Sequence, residues 1–247
     1  MDEYYELRLY RCTPGRLHDL HHRMGYEIAP LFARHGVSRP LAYWEGYAGF
    51  SAPLYCYMLR WTDLDERFRA FGAFYADPDW ALQRDASNVG EHMVERVDLA
   101  LLRPAPIWQE FKDPGPPRAV GGLHELRLQR LNTRNSTASL RALADVDLPD
   151  LKARGAQILG VFSLWFGSGA PLAVILLAWP DFETRESAIK GHERDTKILQ
   201  VRREERCKYG GPLAGACETH LLLPARYGIA RTNLSAQPES VQALHAD

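Results

Sequence analysis

Hydrophobic and polar residues alternate over the first segment of the chain. Between Tyr4 and Arg11, the positions Tyr5, Leu7 and Leu9 form one side of the alternation, and the other side carries Glu, Arg and Tyr. A period of two residues is typical of a β-strand with one buried face. The segment therefore predicts a strand close to the start of the chain.

A helical spacing follows this strand. Thr13 and Pro14 are typical of a helix start, and Gly36 is typical of a helix end. Pro30 lies within the helix and should kink it, because it lacks an N–H group. Between these signals the apolar residues recur at helical spacing and predict one buried face: Leu17, Leu20, Met24, Ile28 and Leu31.

The remaining elements of the first hundred residues are predicted in the same way. Asp63 and Asp77-Pro78 each suit a helix start. The order β-α-β-β-α-α-β is that of a ferredoxin-like module, in which helices cover one face of an antiparallel sheet. The predicted strands are Arg39–Tyr47, Leu54–Trp61 and Met93–Leu102, with a helix at Leu64–Tyr75 and another from Pro78.

This pattern occurs a second time at an offset of 118 to 120 residues. Repeated supersecondary units of this kind imply two like modules. The matching segments are Glu6-Leu7-Arg8 with Glu125-Leu126-Arg127, Pro30 with Pro149, Gly36 with Gly155, and Trp61-Thr62-Asp63 with Trp179-Pro180-Asp181. The second set of strands is predicted at Leu123–Leu131, Gln157–Phe166, Leu172–Trp179 and Cys217–Leu223, with helices near Ser136–Arg154, Asp181–His192 and Glu193–Lys208.

The repeat divides the chain into four segments. They are a first module at 1–106, a Pro- and Gly-rich linker at 107–122, a second module at 123–227 and a polar tail at 228–247. Each module leaves one sheet face uncovered, and two such faces can close on each other. The predicted fold is α+β, with two tandem ferredoxin-like modules that form an intramolecular, pseudo-dimeric α+β barrel with antiparallel sheets.

Several motifs of the first module resemble the NIPSNAP family. They are Tyr5 to Arg11, Pro14 to Arg16, Pro30 to Gly36, Asp77 to Trp80 and Leu101 to Pro104. The second module keeps only part of them. The resemblance implies a dimeric α+β-barrel fold. It implies no single reaction, because that superfamily includes haem-degrading oxygenases, cofactor-free monooxygenases, cyclases, isomerases and plain binding proteins.

Composition narrows the class of protein. The 247 residues carry a formal net charge of −1, which gives no electrostatic basis for binding nucleic acid or an anionic membrane. The four cysteines form no C-x-x-C pair, and the acidic start does not resemble a signal peptide. We expect a cytoplasmic protein with a small-molecule partner and no membrane segment. Association into a homo-oligomer is left open, and the excess of Arg over Lys hints at a bacterial source.

Comparison of the two modules sorts the polar residues. Glu6 and Arg8 recur as Glu125 and Arg127, which favours a structural ion network in the barrel interior over a catalytic pair. His35 precedes the helix stop and is replaced by Arg154 in the second module. A cation at the C-terminus of a helix is favourable, so we expect His35 to be structural.

His21 differs from these residues because its counterpart is Leu140. It shares the apolar face of the first helix, where an imidazole could act as a general base or as a haem ligand. A hydrogen-bonded core histidine is the alternative. Glu45, whose counterpart is Leu164, is a candidate for a buried carboxylate with a raised pKa.

Aromatic residues are concentrated in the first module. Tyr43, Tyr55 and Tyr57 lie on strands that are aliphatic in the second module. Buried tyrosines need partners for their hydroxyl groups, so these three predict a pocket wall with polar groups, although plain core packing is the alternative. Trp61, Phe71 and Trp80 complete the predicted substrate-binding set. His92 precedes the fourth strand and is a candidate for the rim, although an exposed loop residue is the preferred interpretation.

The predicted function follows from these residues. No nucleotide-binding, nucleophile-elbow or zinc motif appears, and no metal site or tightly bound cofactor is expected. We expect a cofactor-independent enzyme that performs cyclisation, isomerisation or oxygen insertion on an aromatic or polyketide-like metabolite. His21, assisted by Tyr57 or Glu45, would move the proton. The alternatives are a non-catalytic ligand-binding or protein-docking protein, and a haem-binding protein.

Overall fold

The computed structural model describes residues 3–49, 51–116, 118–228, 231–232 and 234. Eight strands form one antiparallel sheet. Five of the predicted strands have the expected bounds or differ from them by a single residue. The strands are β1 Tyr4–Cys12, β2 Ala42–Ala48, β3 Leu54–Trp61, β4 Val94–Pro104, β5 Leu123–Leu131, β6 Gln157–Phe166, β7 Leu172–Trp179 and β8 Ala214–Pro224.

Eight α-helices cover the outside of the sheet. The first helical stretch of each module is divided by one π-helical turn, Arg23–Glu27 in the first module and Leu143–Asp147 in the second. Each turn lies just before the prolines Pro30 and Pro149, which cannot donate a helical hydrogen bond. The helices are α1 Leu17–His22, α2 Ile28–Arg34, α3 Leu64–Ala76, α4 Pro78–Ser87, α5 Ser136–Ala142, α6 Leu148–Ala153, α7 Phe182–Arg194 and α8 Thr196–Tyr209.

The sheet closes into a barrel with the strand order β1-β3-β2-β8-β5-β7-β6-β4. Each module contributes four adjacent strands in the ferredoxin-like order. The two modules join edge to edge, where β2 pairs with β8 and β4 pairs with β6. The predicted α+β fold with an intramolecular pseudo-dimeric barrel is therefore confirmed.

Each strand has one face toward the barrel interior and one toward the helices. On β1, Tyr5 and Leu7 belong to the apolar cluster of the barrel interior. Glu6 and Arg8 point the other way, toward α3 and β3. Any cavity between the sheet and the helices is thus lined by the residues that face the helices, such as Arg8.

Side-chain caps explain where α3 and α7 begin. The carboxylates of Asp63 and Asp181 accept hydrogen bonds from the backbone N–H groups of Glu66 and Thr184, at 2.6 and 2.7 Å. Among the described residues, no helix is long and apolar enough to cross a membrane.

The first helix begins later than expected. Its first residue is Leu17, because Gly15 adopts a left-handed φ of 87° that interrupts a helix. Thr13 does not cap the helix. Its hydroxyl instead donates to the backbone carbonyl of His92, at 2.6 Å.

The predicted linker, residues 107–122, begins with a packed turn. A short 3₁₀ helix spans Pro106–Glu110, and its Ile107 and Trp108 are buried in the core between the sheet and the helices of the second module. Most of the predicted polar tail, 228–247, lies outside the described residues. Within its described part, Leu234 packs in the barrel interior.

Candidate functional site

A cavity of about 170 Å³ lies between the sheet of the first module and its covering helices. Strands β1, β3 and β4 form its floor. The first π-helical turn and the helices α2, α3 and α4 form its roof. Its lining combines aromatic side chains with two guanidinium groups that are almost fully buried. The lining residues are Arg8, Tyr10, Arg23, Met24, Ile28, Phe32, Tyr57, Phe71, Phe74, Tyr75, Trp80, Arg84, Asn88, His92, Val94 and Val97.

Arg8 brings three tyrosine hydroxyl groups together at this floor. Its Nη1 atom lies 3.3 Å from the hydroxyl oxygens of Tyr10 and Tyr57 and 3.4 Å from that of Tyr75. The hydroxyls of Tyr10 and Tyr57 are 3.0 Å apart. Burial raises the pKa of Tyr57, although the Arg8 charge opposes this. Tyr57 therefore stays protonated at neutral pH and keeps a hydroxyl hydrogen that it can donate.

Glu6 holds Arg8 in this position. The Nε atom of Arg8 donates to Glu6 at 2.7 Å, and Glu6 also accepts from Arg67 and from the Trp61 indole. Although burial raises the pKa of Glu6, hydrogen bonds and charge from Arg67 and Arg8 lower it below its usual value. The second module repeats this arrangement, since Trp179 and Arg185 donate to Glu125.

The ion network is therefore structural in both modules, but its predicted location was wrong. Glu6 and Arg8 face the helices and not the barrel interior, because inward positions on β1 alternate with theirs and carry Tyr5 and Leu7. This placement gives Arg8 two roles. It belongs to the repeated network through Nε and to the cavity through Nη1.

Arg23 lines the cavity from the π-helical turn. It is 6 % exposed, and its guanidinium lies over the Trp80 ring at 5.7 Å. Its Nη1 atom donates to the Ser87 hydroxyl at 3.1 Å, and its buried Nε has no hydrogen-bond partner among the described residues. Burial lowers the pKa of Arg23. A buried cation with an unsatisfied donor favours an anionic ligand.

The predicted substrate-binding residues divide between the cavity and its surroundings. Phe71 and Trp80 line it, and so does His92, an exposed loop residue. Trp61 is fully buried beneath Phe71, with ring centres 5.5 Å apart, and serves the Glu6 network. It is not among the lining residues of this cavity.

His21 and Glu45 lie in a second cluster, on the other side of Tyr55. His21 Nδ1 is 2.8 Å from the Tyr227 hydroxyl, which is 3.0 Å from the hydroxyl of Tyr55. His21 Nε2 is 3.3 Å from a Glu45 carboxylate oxygen, within ion-pair distance but without hydrogen-bond geometry. Tyr43 packs on Tyr227 with ring centres 5.2 Å apart.

Electrostatics in the second cluster favour the neutral imidazole. Burial lowers the pKa of His21, although Glu45 opposes this. Burial also raises the pKa of Tyr55, and that of Tyr227 to about 12. The two tyrosines therefore stay protonated, and the Tyr227 hydroxyl bonds to both Tyr55 and His21. This bonding is typical of a packed junction between the end of β8 and helix α1. His21, Glu45, Tyr43 and Tyr55 do not line the 170 Å³ cavity. The predicted burial of the Glu45 carboxylate was wrong, because 45 % of this side chain is exposed.

Sequence reasoning missed Arg23 and Tyr227. A signal for Arg23 was present, because the equivalent residue of the second π-helical turn is Leu143. The same comparison of modules that selected His21 would have selected Arg23. Tyr227 stood at the predicted end of the second module, and nothing in the local pattern shows that it packs on the first.

The cavity does not fit a haem group. Its volume is on the order of that of one benzene ring, whereas a porphyrin joins four pyrrole rings in one plane. The imidazole on its lining, His92, belongs to an exposed loop. Groups of three or more His, Cys, Asp or Glu side chains arranged for a metal ion do not occur among the described residues.

Comparison with known proteins places the first module in a family. Residues 5–109 match the NIPSNAP family model. The first module belongs to the NIPSNAP family. No curated protein matches the chain. A solved NIPSNAP family protein from Agrobacterium tumefaciens is 19 % identical, with a TM-score of 0.38, and the match covers 42 % of this chain and 94 % of that one.

Longer matches include proteins that align with both modules. An anthrone oxidase-like protein is 12 % identical, with a TM-score of 0.56, and the match covers 92 % of each chain. A candidate monooxygenase from Fusobacterium nucleatum is 7 % identical, with a TM-score of 0.55 and 94 % of each chain covered. At these identities the likeness shows the fold alone, which is a barrel of two modules; the NIPSNAP match covers the first of them, here called the NIPSNAP module.

The second half lacks most of the cavity chemistry of the NIPSNAP module. Gln129 stands where β1 has Tyr10, and Ile175 pairs with Arg127 as Tyr57 pairs with Arg8. The repeated residues thus build the network, and the residues specific to the NIPSNAP module surround the cavity.

Proposed function

We propose that the cavity of the NIPSNAP module is the active site of an enzyme that moves a proton on a small aromatic carbonyl acid. The observation that supports this most strongly is the convergence of Arg8, Tyr10 and Tyr57 opposite the buried Arg23. This arrangement offers hydrogen-bond donors and positive charge within an aromatic enclosure. Strand β1 contributes Arg8 and Tyr10, and strand β3 contributes Tyr57.

The charge of the site favours an anionic substrate. Arg8 shares the carboxylate of Glu6 with Arg67, whereas Arg23 has no carboxylate partner among the described residues. A substrate carboxylate beside Arg23 would satisfy its free donor and neutralise its charge, which favours binding because an unpaired buried charge is costly. We therefore assign Arg23 to the substrate carboxylate.

The size of the site favours a substrate with a single ring. An apolar cavity on the order of 150 Å³ accepts benzene, and this one is about 170 Å³. Phe71, Phe74 and Trp80 offer faces and edges for an aromatic ring. A polyketide with several fused rings exceeds this space, so we narrow the predicted substrate class to compounds with one ring.

The tyrosines supply the chemistry. When a proton leaves the carbon beside a carbonyl group, negative charge develops on the carbonyl oxygen. Protonated Tyr57, paired with Tyr10 and supported by Arg8, donates a hydrogen bond to that oxygen and stabilises the charge. His92 at the rim is the proposed base. Enolisation of this kind is a step shared by isomerisation, cyclisation and oxygen insertion on phenol-like rings.

Phenylpyruvate provides a direct test, since it has one ring, one carboxylate and one enolisable carbon. We expect the protein to accelerate its enol–keto conversion, followed by ultraviolet absorbance. Tyr57→Phe should lower kcat about a hundredfold, the usual cost of losing one oxyanion donor. Arg23→Gln should raise KM about tenfold, because a charge-assisted contact is lost. Tyr47→Phe, at a residue 64 % exposed, is the matched control.

Two results would contradict the proposal. The first is acceleration that Tyr57→Phe and Arg23→Gln leave unchanged, which would place the reaction elsewhere. The second is phenylpyruvate binding that depends on Arg23, measured by calorimetry, without any acceleration. That second result would favour a ligand-binding protein over an enzyme.

A further inference from the structure

A larger cavity, of about 720 Å³, lies inside the barrel, on the opposite face of β1 from the proposed active site. Its walls come from the apolar cluster of the barrel interior. Exposed residues such as Arg130 and Ala216 also line it, so it opens to solvent. The wall residues include Leu7, Leu9, Leu128, Leu164, Leu172 and Val174.

Positive charge surrounds this opening. Asp98 lies between two guanidinium groups, 2.8 Å from Arg96 Nε and 3.7 Å from Arg11 Nε. The Nε of Arg11 is buried and makes no hydrogen bond within the described chain. Arg130 has no side-chain partner among the same residues. The three arginines therefore outnumber the carboxylates that face them, Asp98 and Glu218.

His220 is a buried polar group on the cavity wall. It is 2 % exposed, and its Nε2 lies 3.1 Å from a Glu218 carboxylate oxygen. Neither ring nitrogen makes a hydrogen bond of good geometry to a described residue. Gly49 packs so closely that a methyl group there would be 2.8 Å from Nδ1. Buried polar atoms without partners are rare, and here they border a cavity.

Both modules supply this opening at equivalent positions. The pairing of β1 with β4 matches that of β5 with β8. Three pairs of lining residues are related in this way: Leu9 with Leu128, Arg11 with Arg130, and Asp98 with Glu218. The cavity under the helices differs, because all of its lining residues belong to the first module.

We propose that the barrel interior binds an amphiphilic carboxylic acid. The volume lies within the roughly 300–1,000 Å³ that is usual for small-molecule pockets. The hydrocarbon chain would lie among Leu9, Leu128 and Val174, where it loses contact with water. The carboxylate would lie at the opening and accept hydrogen bonds from Arg130 and Arg11. This site goes beyond the proposed enzymatic function and does not depend on it.

Dodecanoate below its micellar concentration tests this site by isothermal titration calorimetry of the full chain. We expect saturable binding of one molecule per chain. Arg130→Gln should weaken binding about tenfold, the cost of one charge-assisted contact. Ala216→Trp should abolish binding, because the indole blocks the opening from an exposed position. Arg203→Gln, on the exposed side of α8, is the matched control.

Three outcomes would overturn the proposal. They are the absence of saturable binding below the micellar concentration, an unchanged affinity in both Arg130→Gln and Ala216→Trp, and equally tight binding of dodecylamine, which carries the opposite charge. Tyr57→Phe separates the two cavities. It should leave the affinity for dodecanoate unchanged, and a loss of affinity would place the acid under the helices instead.

Discussion

At the scale of single residues, Arg8 shows how one side chain joins fold and site. Its Nε belongs to an ion network that both modules repeat, and its Nη1 faces tyrosines that only the first module has. Repetition in the second module correctly indicated a structural role for Arg8. Repetition could not show that Arg8 also lines the cavity, because that role depends on its contacts with the hydroxyls of Tyr10 on β1 and Tyr57 on β3.

Glu6→Gln should destabilise the protein strongly. The change leaves the buried Arg8 and the partly buried Arg67 without their negative partner, at a cost of about 3–5 kcal/mol in the free energy of unfolding. Chemical denaturation measures this cost. Glu125→Gln is the matched variant, with a similar loss of stability but full activity at the proposed site. Equal activity of the two variants would show that Arg8 needs no anchor.

The loss of unfolding free energy in Glu6→Gln should depend on pH. The folded pKa of Glu6 is lowered from its usual value of 4.5, so the carboxylate contributes its full stabilisation above that pH. The contribution is lost as the pH falls through the lowered pKa. The difference in unfolding free energy between wild type and Glu6→Gln should therefore be constant above about pH 4.5 and shrink below it. A difference that grows in acid would contradict the assignment.

At the scale of elements, the turn after β8 packs against helix α1 through Tyr227. Its hydroxyl bonds to His21 and Tyr55, so Tyr227→Phe leaves two buried groups without a partner. The expected cost is about 1–3 kcal/mol in the free energy of unfolding. Tyr26→Phe is the control, because Tyr26 is exposed and contacts Tyr227 only through its ring. Equal stability of the two variants would contradict this junction.

His21 should make this junction sensitive to acid. Its folded pKa lies below the usual 6.5, so the unfolded chain binds the proton more readily. The stabilisation from neutral His21 is present above that pH and is lost as the pH falls below it. Wild type should therefore lose more stability than His21→Gln between pH 7 and pH 5, as followed by thermal unfolding. Parallel losses would show that His21 does not titrate with folding.

Strands were more predictable from the sequence than the site. The apolar runs of β3, β6 and β7 lie between Gly, Pro or Asp residues, which indicates the limits of these strands. The start of α1 was missed because Gly15 and the Thr13 contact with His92 depend on loop geometry. The π-helical turn shifts the phase of the helix, so a wheel of constant period could not place Arg23 in the cavity.

At the scale of the whole molecule, two different strand pairings close the barrel. β2 pairs with β8 and β4 pairs with β6, so each pairing joins the second strand of one module to the fourth strand of the other. A fragment of residues 1–106 would leave both edges and the inner sheet face exposed. We expect it to dimerise and close the barrel with a second copy, giving twice the fragment mass by light scattering. A folded monomer would contradict this account of closure.

The central claim is that the first module holds the functional site beneath its helices. Hydrogen–deuterium exchange with and without phenylpyruvate tests this most directly. We predict slower exchange in β3, α3 and α4, whose residues line the 170 Å³ cavity, and no change in the equivalent β7, α7 and α8. Protection in the second module, or confined to the His21–Tyr227 junction, would contradict the claim.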